Sequence, residues 1–266
     1  MDLFPEAEEC EHLLAELANL IASSGGETFL SAPIIEPSDR WFPDRWTPDV
    51  DGVERMLRRV LGYAGLSDLG LTIEIDRFSD AKGEVLLDGR PGGHEGTAAW
   101  FAGIHDGVCA FGVDLRGLDD PIGLIGTLAH EVAHAYRHAK ELRQPIRLHE
   151  ERLTDLTTIY LGFGILTVNA TQRFRSGQKG AGSWYSRSEG GYLGLQSMSY
   201  LLAAQVVARG ASQSAIGRQL ATNQRACFKA ACKQLEDRAA LLQRLELPAV
   251  ASAGTGTGWF RRLFGS

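Results

Sequence analysis

The chain has 266 residues and a net charge of −6, with apolar and charged fractions of 44% and 23%, which are typical of a globular protein. This composition excludes wholesale disorder, which requires low hydrophobicity and a high net charge. A nucleic-acid-binding protein usually carries a basic face, and the acidic balance therefore leads us to expect no nucleic-acid partner. No apolar run reaches the roughly 18 residues of a membrane-spanning helix, so we expect no transmembrane segment.

The cysteines and the N-terminal residues indicate a reducing compartment. The four cysteines are Cys10, Cys109, Cys227 and Cys232. The last two are spaced C-x4-C in an alanine-rich helical run, which puts them on different sides of a helix and disfavours a disulfide. The acidic N-terminus has no basic region followed by a long apolar run, as a secretory signal would. We therefore expect reduced thiols and a cytoplasmic protein.

The first half of the chain combines helices with irregular coil. Apolar residues recur at helical spacing in 6–22 and in 50–64, which predicts two amphipathic helices. Prolines and glycines interrupt 24–50, and this segment is predicted to be irregular coil that packs through Trp41, Phe42 and Trp46.

A small sheet is predicted next. Residues 70–76 alternate in polarity as a strand does, and a glycine-rich loop follows at 89–96. The apolar runs 98–104 and 108–114 are separated by His105-Asp106-Gly107, a sequence that strongly favours a β-hairpin. An edge strand in this hairpin could pair with an extended peptide.

The second half is predicted to be helical. Asp120 at the N-cap and Pro121 at the first helical position predict a helix that runs to about Leu142. After a break near Pro145, a second helix is predicted over 148–168, a long polar loop over 171–192, and two or three more helices over 193–246. The small and glycine-rich residues 251–258 are predicted to be a flexible linker, and the aromatic and basic tail 259–264 follows them.

These elements predict an α+β protein that is mostly helical. We expect helices and a small β-sheet in 1–118, a helical zinc-binding region in 119–246, and a flexible linker and tail in 247–266. The tail 259–264 places three aromatic residues beside two arginines. We expect it to dock on a partner or on a membrane surface.

The most informative motif is His130-Glu131-Val132-Ala133-His134, an H-E-x-x-H sequence inside the predicted helix 119–142. Histidines four residues apart lie on one face of a helix, so both imidazoles reach one metal ion. Glu131 lies beside them, where its carboxylate can take a proton from a water molecule on the metal. The motif therefore predicts one zinc ion per chain.

A catalytic zinc needs a third protein ligand and an open position for water. Glu151 and Asp155 lie at the start of the next helix and are four residues apart. One of them can therefore bind zinc while the other orients a ligand histidine. Glu150 and His149 are alternatives to Glu151 as the third ligand.

Together these residues resemble the gluzincin, or thermolysin-like, zinc metallopeptidases, in which H-E-x-x-H is followed by a helix carrying E-x-x-[ST]-D. The resemblance covers about residues 130–168 and implies a zincin-like fold, with a small sheet packed beside an active-site helix pair. It also implies that His130, His134 and Glu151 bind zinc, that Glu131 is the general base, and that Asp155 accepts a hydrogen bond from His130.

Two further comparisons refine this resemblance. The metzincin pattern requires Gly at 137 and His at 140, where this chain has Arg137 and Lys140. The residues from Asp155 onward are also similar to a class of uncharacterised bacterial proteins that carry an H-E-x-x-H helix.

The implied reaction is hydrolysis of a peptide or protein amide bond by zinc-activated water, with Glu131 as general base. The downstream histidine motif that binds substrate in thermolysin-like enzymes has no counterpart in this chain. The candidates for stabilising the oxyanion are therefore Tyr160, Tyr185, Tyr192, Tyr200 and His149. The alternative is a non-catalytic zinc-binding regulatory or interaction protein on the same scaffold, but the presence of Glu131 favours an enzyme.

Overall fold

The computed structural model describes residues 3–76, 99–114, 118–176 and 193–248, with side chains described to residue 74 in the first range and to residue 171 in the third. The described helices and strands in chain order are α1 (Ala7–Ser24), α2 (Gly26–Ser31), α3 (Val50–Tyr63), β1 (Gly70–Asp76), β2 (Ala99–His105), β3 (Val108–Asp114), α4 (Pro121–Ala139), α5 (Arg147–Tyr160), α6 (Gly164–Ser176), α7 (Leu195–Arg209), α8 (Gln213–Arg218), α9 (Thr222–Gln234) and α10 (Arg238–Arg244). The predicted α+β, mostly helical class is confirmed.

The chain divides into two compact units. The first is Pro37–Pro145, and the second combines Met1–Glu36 with Ile146–Ser266. The first unit contains the sheet with α3 and α4, and the second unit contains the remaining helices. The predicted division into 1–118, 119–246 and 247–266 follows the order of elements along the chain and stays a prediction.

Among the described strands, the sheet of the first unit has the order β1-β3-β2, so β2 lies at an edge of these three strands. β1 is parallel to the central strand β3, and β2 is antiparallel to it. The predicted hairpin is confirmed: Asp106 and Gly107 connect β2 to β3 with φ values of 48° and 76°. Positive φ at both central residues is the mark of the two-residue turn that matches strand twist.

Helices α3 and α4 pack on this sheet, α3 against β1 and α4 against β2. The N-terminus of α3 is capped by Asp49, whose Oδ1 accepts a 2.8 Å hydrogen bond from the Gly52 amide. Trp41 is buried and packs edge-on against Tyr63 of α3, with ring centroids 5.6 Å apart. The irregular coil before α3 therefore packs through Trp41 and Phe42, as predicted, whereas the predicted packing of Trp46 stays a prediction.

The helical unit is organised around α7, which is buried along nearly its whole length. It packs against every other helix of the unit, α1, α2, α5, α6, α8, α9 and α10. A helix that is apolar almost all round is buried in this way. The short helix α2 interrupts the segment predicted as coil, and its Phe29 is fully buried.

Two helix predictions are wrong in detail. The single helix predicted over 148–168 is two helices, α5 and α6, separated at Gly162 with φ of +90°. A Cβ atom at this position would lie 2.0 Å from the carbonyl oxygen of Pro33. Residues 193–246 contain four helices instead of two or three, because α8 and α10 are short. In addition, α6 continues to Ser176, into the segment predicted as the loop 171–192.

Several other predictions concern single features. The four cysteines are buried and unpaired, in agreement with the expectation of reduced thiols. Among the described residues, no helix has the length and apolar character to cross a membrane. The glycine-rich loop 89–96, residues 177–192 with Tyr185 and Tyr192, and the tail 251–264 lie outside the described residues.

Candidate metal centre

The first part of the centre lies on α4, and its helix start is set by local sequence. Asp120 Oδ1 accepts a 3.0 Å hydrogen bond from the Gly123 amide, and Pro121 occupies the first turn. His130 and His134 follow one turn apart, with ring centroids separated by 4.9 Å and a T-shaped arrangement. His130 is buried and His134 is half-buried, so the pair is held by the packed helix.

Glu131 is oriented by the sheet. The residue is 8% exposed, and Oε2 of its carboxylate accepts a 2.8 Å hydrogen bond from the backbone amide of Phe101 on β2. The β2–β3 register shifts between Phe101 and Gly103, a bulge that changes the direction in which edge groups point. This amide was missed by sequence reasoning, since backbone donors carry no sequence pattern.

The second part of the centre lies on α5. Glu151 is half-buried, with Oε1 3.9 Å from the Nε of the exposed Arg147. Asp155 is buried one turn later, and its Oδ2 accepts a 2.8 Å hydrogen bond from the amide of Leu193. Asp155 therefore fixes the chain just before α7, in addition to the predicted role of orienting a ligand histidine, which stays a prediction.

The side chains of His130, His134 and Glu151 each offer one ligand atom, and these three atoms lie within 4.8 Å of one another. Within the residues whose side chains are described, 3–74, 99–114, 118–171 and 193–248, this is the one group of three or more such residues. Two imidazole nitrogens and one carboxylate oxygen form one of the donor sets found in catalytic zinc sites. The group can therefore hold a metal ion, and it contains neither Glu150 nor His149.

The remaining histidines near the motif have other surroundings. His149 Nδ1 lies 3.9 Å from Oε1 of Glu16, a residue of α1. His138, one turn after His134, packs edge-on against Phe101, with ring centroids 5.8 Å apart. Burial, together with the charges of Arg143 and His105, lowers the pKa of His138.

Two predicted oxyanion donors are engaged in the core of the helical unit. Tyr160 is fully buried, and its hydroxyl donates to the backbone oxygens of Ser24 at 2.7 Å and Gly25 at 3.0 Å, at the end of α1. Tyr200 is buried beside Cys10, and burial raises the pKa of its hydroxyl. These contacts favour structural roles for both tyrosines.

Comparison of the chain with protein-family models, curated proteins and solved structures found no match. The assignment of function therefore depends on the geometry and chemistry of the site itself.

Proposed function

We propose that the chain is a zinc-dependent hydrolase of peptide bonds, built on a zincin-like arrangement of a small sheet and active-site helices. The observation that carries the proposal is the grouping of ligand atoms from His130, His134 and Glu151 within 4.8 Å of one another. A carboxylate that follows the first ligand histidine directly suits catalysis, since a purely structural zinc site needs no base and is closed by a fourth protein ligand.

The donor set fits zinc, which accepts imidazole nitrogen and carboxylate oxygen together. His130, His134 and Glu151 would hold the ion. When bound, zinc would supply Lewis acidity that polarises a scissile carbonyl and makes a water more acidic. Asp155 would orient a ligand histidine by accepting its N–H, which fixes the ring tautomer.

Glu131 would accept the proton of the attacking water and deliver it to the leaving amine. A carboxylate has two oxygens, and Oε2 of Glu131 is held by the Phe101 amide. That bond restrains the carboxylate, so the second oxygen, Oε1, would stay near the reacting water before substrate binds. A base held in place in this way loses less entropy on reaching the reactive geometry.

The edge position of β2 supports a peptide as substrate. An extended peptide can pair its backbone with a free sheet edge, and this mode of binding reads the main chain before the side chains. Because β2 also carries the amide that holds Glu131, a peptide bound along this strand would lie beside the general base.

The first experiment measures metal. Purified protein should contain about one zinc per chain, and His130→Ala and Glu151→Ala should each lose most of it. Glu150→Gln is the matched control, since Glu150 is the neighbouring carboxylate on α5 and lies outside the ligand group. Full zinc occupancy in Glu151→Ala would remove Glu151 from the site.

The second experiment measures turnover. The protein is incubated with a mixture of unstructured peptides, and cleavage is followed by mass spectrometry with and without a zinc chelator. We expect new termini that disappear with the chelator and return when zinc is added. Zinc at full occupancy without any cleavage would reject the hydrolase and favour a binding role on the same scaffold.

A further inference from the structure

Acidic residues are scarce in one part of the sequence. Between Asp155 and Glu236 the chain has a single acidic residue, Glu189, and nine Lys or Arg residues, although the whole chain has a net charge of −6. Helices α8 and α9 contain no acidic residue at all. This segment is therefore basic within an acidic chain, and the expectation of no nucleic-acid partner rests on the net charge of the whole chain alone.

Helices α8 and α9 form a tight helical pair within this segment. Only residues 219–221 connect them, and the side chain of Asn169 on α6 forms two hydrogen bonds with the backbone of this connection. Its Nδ2 donates to the Gln219 carbonyl at 2.9 Å, and its Oδ1 accepts from the Ala221 amide at 3.1 Å. Arg225 Nη2 adds a 2.8 Å bond to the Leu220 carbonyl. The turn is therefore held by side chains from two helices.

Gly217 of α8 lies at the contact with α9. A Cβ atom at this position would lie 3.9 Å from the Phe228 ring of α9, which is an ordinary van der Waals distance. The N-terminus of α8 is capped by Ser212, whose Oγ accepts a 3.3 Å hydrogen bond from the Ala215 amide. A short first helix, a tight turn and a longer second helix are the parts of a helix-turn-helix motif.

The two faces of α9 have opposite character. Helix α9 packs against α7, and its inner face consists of the buried residues Gln224, Cys227, Phe228, Ala231 and Cys232. The exposed face consists of small, polar and basic residues: Thr222, Asn223, Ala226, Lys229, Lys233 and Gln234. In the part of the chain that the structure describes, no ion pair involves Lys229, Lys233 or the exposed Arg218 of α8. Their charges are therefore available to an anionic partner.

We propose that the α8–α9 pair is a helix-turn-helix surface that binds double-stranded DNA, with α9 as the helix that enters the major groove. In this motif the N-terminal residues of the second helix meet base edges, and Thr222 and Asn223 are the small polar residues at that position. Lys229, Lys233 and Arg218 supply the phosphate contacts that dominate affinity. The proposal is independent of the hydrolase assignment.

Duplex DNA fits this face better than a membrane does. A helix that lies on an anionic membrane buries large apolar residues beside its basic ones, and the exposed face of α9 has none. A polar and basic face without carboxylates matches the polarity of protein–DNA interfaces, which are strongly positive.

The test uses the full-length protein and a fluorescently labelled 30-base-pair duplex, with anisotropy measured between 50 and 200 mM salt. The variant Lys229→Ala/Lys233→Ala should bind at least tenfold more weakly at low salt. Each lost phosphate contact removes about 0.9 from the slope of log affinity against log salt, so the slope should fall by about 2. Both lysines are exposed, and circular dichroism should show an unchanged helix content.

The matched control is Arg55→Ala/Arg58→Ala, which makes the same change in net charge on the exposed side of α3. It should leave DNA affinity within about twofold. Absence of DNA binding at 50 mM salt, or an equal loss in both variants, would overturn the proposal. Binding to phosphatidylserine vesicles that depends on Lys229 and Lys233, without binding to the duplex, would also overturn it and assign the face to membranes.

Discussion

The backbone amide of Phe101 donates a 2.8 Å hydrogen bond to Oε2 of Glu131, and so joins the edge strand β2 to the candidate general base on α4. The two residues are 30 positions apart in sequence. The bond requires only an acceptor oxygen on residue 131, whereas proton transfer requires a carboxylate. The difference between these two requirements can be tested by one substitution.

Glu131→Gln should keep the zinc and the fold while hydrolysis falls by about 10²–10⁴-fold, the usual contribution of a general base. The glutamine amide oxygen still accepts from Phe101, so the side chain stays in place. The measurements are zinc content, thermal unfolding and peptide cleavage. Glu141→Gln, an exposed residue just after α4, is the control, and cleavage by Glu131→Gln at the wild-type rate would exclude Glu131 as the base.

Two substitutions of Asp155 should distinguish its effect on zinc affinity from its effect on stability. Asp155→Asn keeps an acceptor for the Leu193 amide and should change stability little, but it should weaken zinc binding by about 10–100-fold through loss of the charged acceptor. Asp155→Ala should in addition lower the free energy of unfolding by about 1–3 kcal/mol, because a buried amide loses its partner. Competition with a fluorescent chelator measures the zinc affinity. An unchanged affinity in both variants would leave Asp155 with its structural contact alone.

Arg152 should matter for the stability of the helical unit more than an exposed arginine does. Its guanidinium holds Glu9 at 2.9 and 3.1 Å and the buried Glu16 at 2.8 Å, and so ties α5 to α1. Burial alone would lower the pKa of Arg152, but the hydrogen bonds to these carboxylates hold it above its usual value.

Arg152→Ala should therefore lower the free energy of unfolding by about 2–3 kcal/mol, because it leaves Glu16 buried without its cation. Arg152→Lys should recover only part of this loss, since lysine lacks the planar fork. Arg58→Ala, which removes an exposed pair with Glu54, should cost less than about 0.5 kcal/mol. Urea unfolding measures all three variants, and equal losses for Arg152→Ala and Arg58→Ala would contradict this assignment.

Gly162→Ala should destabilise the protein by about 3 kcal/mol or more, since it combines an unfavourable backbone conformation with a steric clash. The added methyl group would lie 2.0 Å from the Pro33 carbonyl oxygen. Gly65→Ala is the control, because Gly65 also has positive φ, at +73°, but has no atom within 4 Å of the added Cβ. It should cost only about 1 kcal/mol. Similar thermal unfolding of the two variants would show that the clash is relieved by movement of the chain near Pro33.

Local patterns were sufficient to predict much of the secondary structure. The helix α4 was predicted from Asp120 and Pro121, and the hairpin from the Asp106-Gly107 turn, because caps and turns act over a few residues. The relation between His130 and His134 was predictable for the same reason, since residues four apart share a face of any α-helix.

Contacts between distant residues were decided by the tertiary structure. The break between α5 and α6 depends on the approach of the Pro33 carbonyl to Gly162, and periodicity within 148–168 contains no trace of that contact. Likewise, Glu150, Glu151 and His149 were all open as ligands, and only the folded chain brings the Glu151 carboxylate near the two imidazoles. Short-range rules choose helices and turns, whereas which side chains and amides meet depends on packing that the whole chain determines together.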